Sequence, residues 1–478
     1  MEKIPPKSRR EFLKLMAAGA ASVSTLGHSG KSSGVQADTG DSTRPNVLMI
    51  LLDDLNAWVG CMGRNPDVRT PNIDKLAQRG VLFSNAHCAS PICNPSRASF
   101  LTGVRPATSG IYNNEQHLRQ VMPDIVTLPQ YFRSNGYYVV GGGKFFHFDD
   151  PLSWDEYFPS AKGEEPKPPN LPINGMPPAS AFDWGPVDVA DEDMADAKTV
   201  RLAARELAVN KKRPFFLGVG LLRPHIPLYA PRKYFEMYPT DKITLPKVNP
   251  NDLDDVPSPG KILAHTEVHA SIVQHHQWEK GVQGYLASIS FADAQIGRVL
   301  DALDQSPFAG NTIIVLTADH GWHLGEKLHW QKLTLWEEST RVPLIIAAPG
   351  VSPRGAVCNK AVSLMDIYPT LLELCGLLPK DEVEGTSIRQ FLCDPGSNAD
   401  HPPAVTTLLG DNHSVRTDRY RYIRYRDGSE ELYDHDADPL EWQNLAANSD
   451  YASVKNQLGK WVPTIVAPGP DKMRSDTT

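Results

Sequence analysis

Asn46-Val47-Leu48-Met49-Ile50-Leu51-Leu52-Asp53-Asp54 is the stretch whose reading decides the fold. Its apolar run is continuous and does not alternate, which predicts a central parallel strand covered on both faces. Thr312-Ile313-Ile314-Val315-Leu316-Thr317 repeats the pattern and runs into Ala318-Asp319-His320-Gly321. Both strands therefore end in acidic residues, at the strand ends where open α/β sheets bind their ligands. Adjacent carboxylates at such a point call for a neutralising cation, or they end the strand as ordinary turn formers. Three Asp side chains, Asp53, Asp54 and Asp319, together favour a hard cation such as calcium or magnesium. Between and beyond the strands lie helical periods: Asp74 to Ala77 before Gly80, Asp366 to Leu372 before Gly376, and Tyr285, Ile289, Ala292, Ile296, Val299 and Leu303 at steps of three and four. Residues from about 44 to about 395 thus predict an α/β sandwich.

Cationic residues follow the same arrangement. Tyr138 to His147 reads as a strand, a glycine turn, then Lys144 and His147 three apart. Leu222-Arg223-Pro224-His225-Ile226-Pro227 offers His225 between two prolines that restrict the backbone. Gly321-Trp322-His323-Leu324-Gly325-Glu326-Lys327-Leu328-His329-Trp330-Gln331-Lys332 carries a lysine back from the second strand. Taken singly, each of these is a solvated lysine or a hydrogen-bonded histidine. Together they would line a pocket for an anion. In Cys93-Asn94-Pro95-Ser96-Arg97 the last three residues are predicted to begin a helix, which leaves Cys93 near its positive end.

Cys93-Asn94-Pro95-Ser96-Arg97 matches the C-x-P-x-R signature of the type I sulfatases, and the Gly321–Lys332 run resembles the G-W-x-L-G-E…W-x-K stretch of the iduronate-2-sulfatase branch. The Asp319-His320 pair is the version seen in that branch, where many relatives carry Asn at the second position. The resemblance covers nearly the whole chain after its first 37 residues. It implies an alkaline-phosphatase-like α/β sandwich, with a large central mixed sheet flanked by helices and a smaller C-terminal subdomain containing an antiparallel sheet. It also implies that Cys93 is converted by a formylglycine-generating enzyme to formylglycine (3-oxoalanine), whose hydrate attacks sulfur and keeps a second hydroxyl for release; a thiolate would form an adduct with no internal way out. Asp53, Asp54, Asp319 and His320, with the Cys93-derived oxygen, would bind calcium, or magnesium in its place. Arg97 would steady the diol, Lys144, His147 and Lys332 would hold sulfate, His225 or Lys332 would protonate the leaving oxygen, and His147 would act as base for release. A 2-O-sulfated uronic acid is the substrate that the branch implies. A phosphonate monoester or phosphodiester hydrolase of the same superfamily is the alternative activity. A noncatalytic carbohydrate-binding protein would require Cys93 to stay unmodified.

The ends of the chain read differently from its middle. Ser8-Arg9-Arg10-Glu11-Phe12-Leu13-Lys14, a short apolar run to Leu26 and Val35-Gln36-Ala37 resemble a bacterial twin-arginine export signal with its cleavage site. That predicts residues 1–37 as a signal for the Tat translocase and a periplasmic or extracellular destination, with no membrane span in the mature protein. Residues 38–395 form the expected catalytic domain and 396–478 the C-terminal subdomain, where Ser414 to Asp434 reads as a hairpin turning at Asp427-Gly428. The chain's net charge is −8, and the first 37 residues carry a surplus of four positive charges, leaving −12. So acidic a remainder argues against nucleic acid as a partner. The six cysteines match no zinc spacing, and Cys375 with Cys393 is a candidate loop closure. His265, His269, His275 and His276 do not follow the H-E-x-x-H zinc pattern and read as a solvated connector before a helix. The long Pro- and acid-rich stretch Pro151–Asp196 is expected to help wall the pocket.

Overall fold

The computed structural model describes residues 44–176 and 182–469, so the expected export signal lies outside the described residues. One large sheet organises the chain. Its strands are β1 (Asn46–Leu52), β2 (Val81–His87), β3 (Tyr138–Gly143), β4 (Glu156–Phe158), β5 (Phe215–Gly220), β6 (Thr312–Ala318), β7 (Arg341–Ala347), β8 (Ala356–Cys358) and β9 (Val362–Ser363). Across the sheet the order is β8-β2-β7-β6-β1-β5-β3-β4, with β9 also paired to β2. β1 lies near the middle, parallel to β5 on one side and to β6 on the other. Its six side chains from Val47 to Leu52 are all fully buried, each contributing about 1.5–3 kcal/mol of hydrophobic stabilisation. β7 runs antiparallel to both β6 and β2, which makes the sheet mixed, as expected.

The principal helices are α1 (Pro71–Ala77), α2 (Cys93–Thr102), α3 (Ala195–Ala208), α4 (Thr266–Gln274), α5 (Trp278–Asp304) and α6 (Ile367–Leu374). In α5 the predicted residues Tyr285, Ile289, Ala292, Ile296, Val299 and Leu303 are all fully buried. α5 packs on α1 and α3, and α3 packs on β3 and β5. A separate four-stranded antiparallel sheet follows: β10 (Ala404–Leu408), β11 (Asn412–Arg416), β12 (Tyr420–Arg424) and β13 (Glu430–Asp434), in sequential order. It is tied to the large sheet's site by Thr407 N, which donates to Ala89 O at 2.9 Å, and by Thr406 Oγ1, which donates to Cys88 O at 2.6 Å.

Several local expectations need correction. The glycines after Tyr138 do not form a turn; Gly141, Gly142 and Gly143 belong to β3, because the sheet's neighbours leave no room for side chains. A Cβ on Gly141 would lie 2.3 Å from the Trp154 ring, and one on Gly143 would lie 2.0 Å from Gly220 O. The segment with the four histidines is not a solvated connector: α4 runs through it, and buried His269 accepts from Trp330 Nε1 at 3.0 Å. The predicted hairpin spans three strands, since the chain also reverses between Arg416 and Tyr420. Cys375 is buried, Cys393 is exposed, and both are free thiols. Among the described residues no helix is long and apolar enough to cross a membrane.

Candidate active site

The parallel strands deliver their following residues to one edge of the sheet. Leu52 pairs with Ala318 in register, so Asp53-Asp54 and Asp319 emerge side by side. The junction is tight: Asp319 N donates to Leu52 O at 3.2 Å, and Asp54 N donates to Asp319 Oδ1 at 3.2 Å. Asp54 has a φ of 65°, a left-handed conformation that Asp tolerates better than most residues. All three carboxylates are fully buried.

Cys93 is the first residue of α2 and is 1% exposed. Its Sγ lies 3.5 Å from Asp53 Oδ1, 3.4 Å from His320 Nε2 and 3.0 Å from Lys332 Nζ. Burial pushes the thiol up, but Lys332, Lys144 and His320, helped by a hydrogen bond from His147, outweigh it and hold Cys93 well below the ordinary thiol range. One turn along α2, fully buried Arg97 donates from Nε to Asp319 Oδ2 at 2.8 Å, and to the carbonyls of Leu52 at 3.2 Å, Phe145 at 3.1 Å and Lys144. Arg97 thereby ties α2 to the ends of β1, β3 and β6.

The two lysines each face a carboxylate. Lys144 pairs with Asp53 Oδ2, and Lys332 Nζ donates to Asp54 Oδ1 at 2.7 Å. Burial opposes the ammonium at Lys332, but Asp54, Cys93, Asp53 and Asp319 raise it well above the ordinary lysine range. At Asp53, burial and Cys93 push the carboxyl up, whereas Lys144, His225 and Arg97 bring it below the ordinary carboxylate range. His225 points its Nε2 toward Asp54 Oδ2, 3.8 Å away, while its Nδ1 contacts Ile226 O. His320 Nδ1 stands 3.1 Å from Gly321 O and its other nitrogen faces Cys93. Burial lowers His320, yet Asp319 and Cys93 raise it to about 9. His147 is half-buried, and its Nδ1 has no hydrogen-bond partner. Every residue anticipated for the site therefore lies in this one cluster.

The donor set suits a divalent cation. One ligand atom each from Asp53, Cys93, Asp319 and His320 lies within 4.8 Å of the others, and Asp53, Asp54, Cys93 and His225 form an overlapping group. Asp53 Oδ2 is met by Lys144, whereas Asp54 Oδ2 is buried and accepts no hydrogen bond, with His225 Nε2 no closer than 3.8 Å. Buried oxygens left in that state are costly without a positive partner, which a hard cation provides.

Sequence reading missed the groups that hold the Lys332 loop in place. Arg421 on β12 pairs with Glu337, donates to Glu441 Oε1 at 2.5 Å and donates to Leu335 O at 2.9 Å. Trp336 Nε1 donates to Glu431 Oε2 at 2.8 Å. His329 spans the loop, with Nε2 2.8 Å from Lys332 O and Nδ1 2.6 Å from Ala264 O. Glu337, His435 and Glu441 also meet metal-like spacing, but Arg416 and Arg421 already satisfy those acids, so the cluster is an ion-pair network. Asp196 was also missed; it accepts from Leu222 N at 2.7 Å and Arg223 N at 2.9 Å, just before His225. Apart from His329 and Lys332, which are three residues apart, these pairs had no local sequence signal, since their members are far apart in the chain.

The sulfatase family model matches residues 45–377, and a second, N-sulphoglucosamine sulphohydrolase, C-terminal, matches residues 325–466. A protein described as a sulfatase from Formosa agariphila is 40% identical over 440 residues, covering 88% of this chain and 86% of that one. Iduronate 2-sulfatase of Mus musculus is 32% identical over 514 residues, covering 86% of this chain and 93% of that one. Among solved structures, a phosphonate monoester hydrolase of Agrobacterium radiobacter shares the fold with a TM-score of 0.72 at 23% identity, over 87% of this chain and 94% of that one.

Proposed function

This chain belongs to the sulfatase family and is a sulfuric ester hydrolase, and from that premise we propose that it removes sulfate from a sulfated sugar of the 2-O-sulfo uronic acid type. The observation that carries the reading is the meeting of Lys332 Nζ, His320 Nε2 and Asp53 Oδ1 at Cys93 Sγ, at 3.0, 3.4 and 3.5 Å. Likeness to iduronate 2-sulfatase across most of the chain supports the choice of sugar.

In this reading the encoded sulfur of Cys93 stands where the diol oxygen of formylglycine would be. Asp53, Asp54, Asp319 and His320 would hold the cation, calcium or else magnesium. When present, the two groups supply an oxygen nucleophile with a second hydroxyl for release, and a positive charge that lowers its pKa. Lys144, Lys332 and His147 bind the nonbridging sulfate oxygens, whose charge shifts toward the ester oxygen as the S–O bond breaks. A proton must arrive at that oxygen. His225 is suited to deliver it from Nε2, because its Nδ1 is engaged by Ile226 O; Lys332 is the alternative donor. His147, whose ring hydrogen-bonds the Cys93 side chain, is the base that takes the hydroxyl proton for release. Arg97 neutralises Asp319 and keeps the start of α2 against the strand ends.

The same reading assigns residues 1–37 to export by the Tat translocase into the periplasm or beyond, 38–395 to catalysis and 396–478 to the C-terminal subdomain. A formylglycine-generating enzyme would act on Cys93 before export. Rates on a panel of defined sulfated oligosaccharides, with an aryl sulfate and an aryl phosphonate alongside, test the proposal. A preference for 2-O-sulfo uronic acids is expected. A higher kcat/KM on the aryl phosphonate than on every sulfate would replace it with the phosphonate-hydrolase reading.

A further inference from the structure

The charged groups of the site leave the sheet in strand order, and that order continues one strand further. Asp319 follows β6, Asp53 and Asp54 follow β1, His225 follows β5, and Lys144 and His147 follow β3. β4 pairs parallel to β3, with Gly141 opposite Tyr157, so its carboxyl end reaches the same edge. The chain leaving β4 turns through Ala161–Glu164. That turn carries Lys162.

The turn is tied to the walls of the site on both sides. Tyr157 OH donates to Gly143 O, just before Lys144, at 2.9 Å. Glu165 accepts from Arg223 at 2.5 Å, and Arg223 donates in turn to His225 O at 2.8 Å. The acids beside Lys162 are engaged elsewhere: Glu164 pairs with Lys198 at 2.8 Å and Glu165 with Arg223. Lys162 has an exposed side chain and makes no ion pair among the described residues. Partial loss of solvent and the positive field of Lys144 hold its ammonium below the ordinary lysine value, while Asp53 and Cys93 pull it the other way. Lys144 and Lys332 each face a carboxylate, whereas Lys162 brings a further positive charge that no protein acid balances. β4 is the strand next to β3 in the sheet, so the turn that carries Lys162 follows the strand beside the one that delivers Lys144.

We propose that Lys162 binds a second anionic group on the same sugar, a carboxylate or a second sulfate, and so selects doubly charged substrates. This rests on the sugar-sulfate reading above. The test compares Lys162→Gln and Lys162→Arg with the unchanged enzyme on a disaccharide bearing a 2-O-sulfo uronic acid, on its carboxyl-reduced form, and on an aryl monosulfate. For Lys162→Gln, the kcat/KM ratio of the uronate disaccharide over the aryl sulfate should fall about tenfold, mainly through KM, and Lys162→Arg should restore most of it. The unchanged enzyme's preference should weaken as salt rises, and that of Lys162→Gln should not. If removing the carboxylate abolishes the difference between enzyme and variant, the carboxylate is the partner. If the difference persists only on sugars with a second sulfate, that sulfate is the partner. An unchanged ratio for Lys162→Gln on all doubly charged sugars would overturn the proposal. Should the unchanged enzyme reject the 2-O-sulfo uronate but cleave another disulfated sugar, the substrate reading fails, and the Lys162 comparison is made between that sugar and its monosulfated form.

Discussion

Lys332 Nζ lies 3.0 Å from Cys93 Sγ, across 239 residues of chain. The same ammonium is 2.7 Å from Asp54 Oδ1, so one side chain reaches both the nucleophile's position and a carboxylate of the proposed cation site. It gets there on a loop whose backbone is held by His329 and Arg421 and whose Trp336 side chain is anchored to Glu431. A contact to sulfate made by so constrained a group needs little reorganisation when charge develops.

Lys332→Ala should therefore cost roughly 2 to 4 kcal/mol in the transition state, a loss of about thirtyfold to a thousandfold in kcat/KM. An exposed loop lysine would change the rate about twofold or less. An equal loss on an activated aryl sulfate and a sugar sulfate marks a sulfate-binding role. A much smaller loss on the aryl sulfate marks Lys332 as the proton donor.

Protein from a host with the modifying enzyme should carry an oxidised Cys93. Peptide mass spectrometry is expected to find this residue about 18 Da lighter than cysteine, and Cys93→Ala should be inactive on every sulfate. Full activity in protein whose Cys93 is entirely thiol would refute the formylglycine mechanism.

Removing the cation should lower stability as well as activity, because Asp53, Asp54 and Asp319 are buried together and repel one another. At about one hundred times its Kd, a bound ion contributes about 2.7 kcal/mol, or about 3 °C in Tm for a chain of this size. Chelation should remove that increment, and calcium or magnesium should restore it. Demetallated protein with unchanged Tm and rate would count against the site.

Asp196 gives the stability a pH dependence of known sign. It is 4% exposed, and burial with Glu165 nearby pushes its carboxyl up to about 7 against backbone N–H groups and Arg223 that lower it. Below pH 4 the carboxyl is protonated in both states and contributes no difference. Between about pH 4 and 7 the folded state binds the extra proton, so stability falls as pH rises through this window. Above pH 7 the deficit is constant, on the order of 4 kcal/mol. Thermal unfolding of Asp196→Asn should show a flatter profile from pH 4.5 to 7; a slope equal to that of the unchanged protein would remove Asp196 as its source.

The two strand runs were legible because their information is local. A buried parallel strand must be apolar throughout, so β1 and β6 appear in sequence as uninterrupted runs, and the residues just past them fall at the site edge. Lys144 and His147 could be picked out for the same reason, lying a short way beyond a strand run, whereas His225 was marked by its flanking prolines and the family resemblance. Glycines misled at Gly141–Gly143, where the cause is a neighbour far along the chain: β5 in the case of Gly220, and Trp154 beyond the loop. The histidine-bearing α4 was missed because its buried side is completed by Trp330 and not by its own pattern.

By itself, then, the order of residues determined an α/β architecture, the strand ends that carry acids, and the cysteine motif at a helix start. Only the tertiary structure decided that these ends share one edge in register, that Lys332 folds back onto Cys93, and that Arg421 clamps its loop. The reason is physical: strand and helix preferences depend on side chains two to four residues apart. A buried ion pair or a shared metal position depends on distances in space between groups that the chain separates by tens to hundreds of residues.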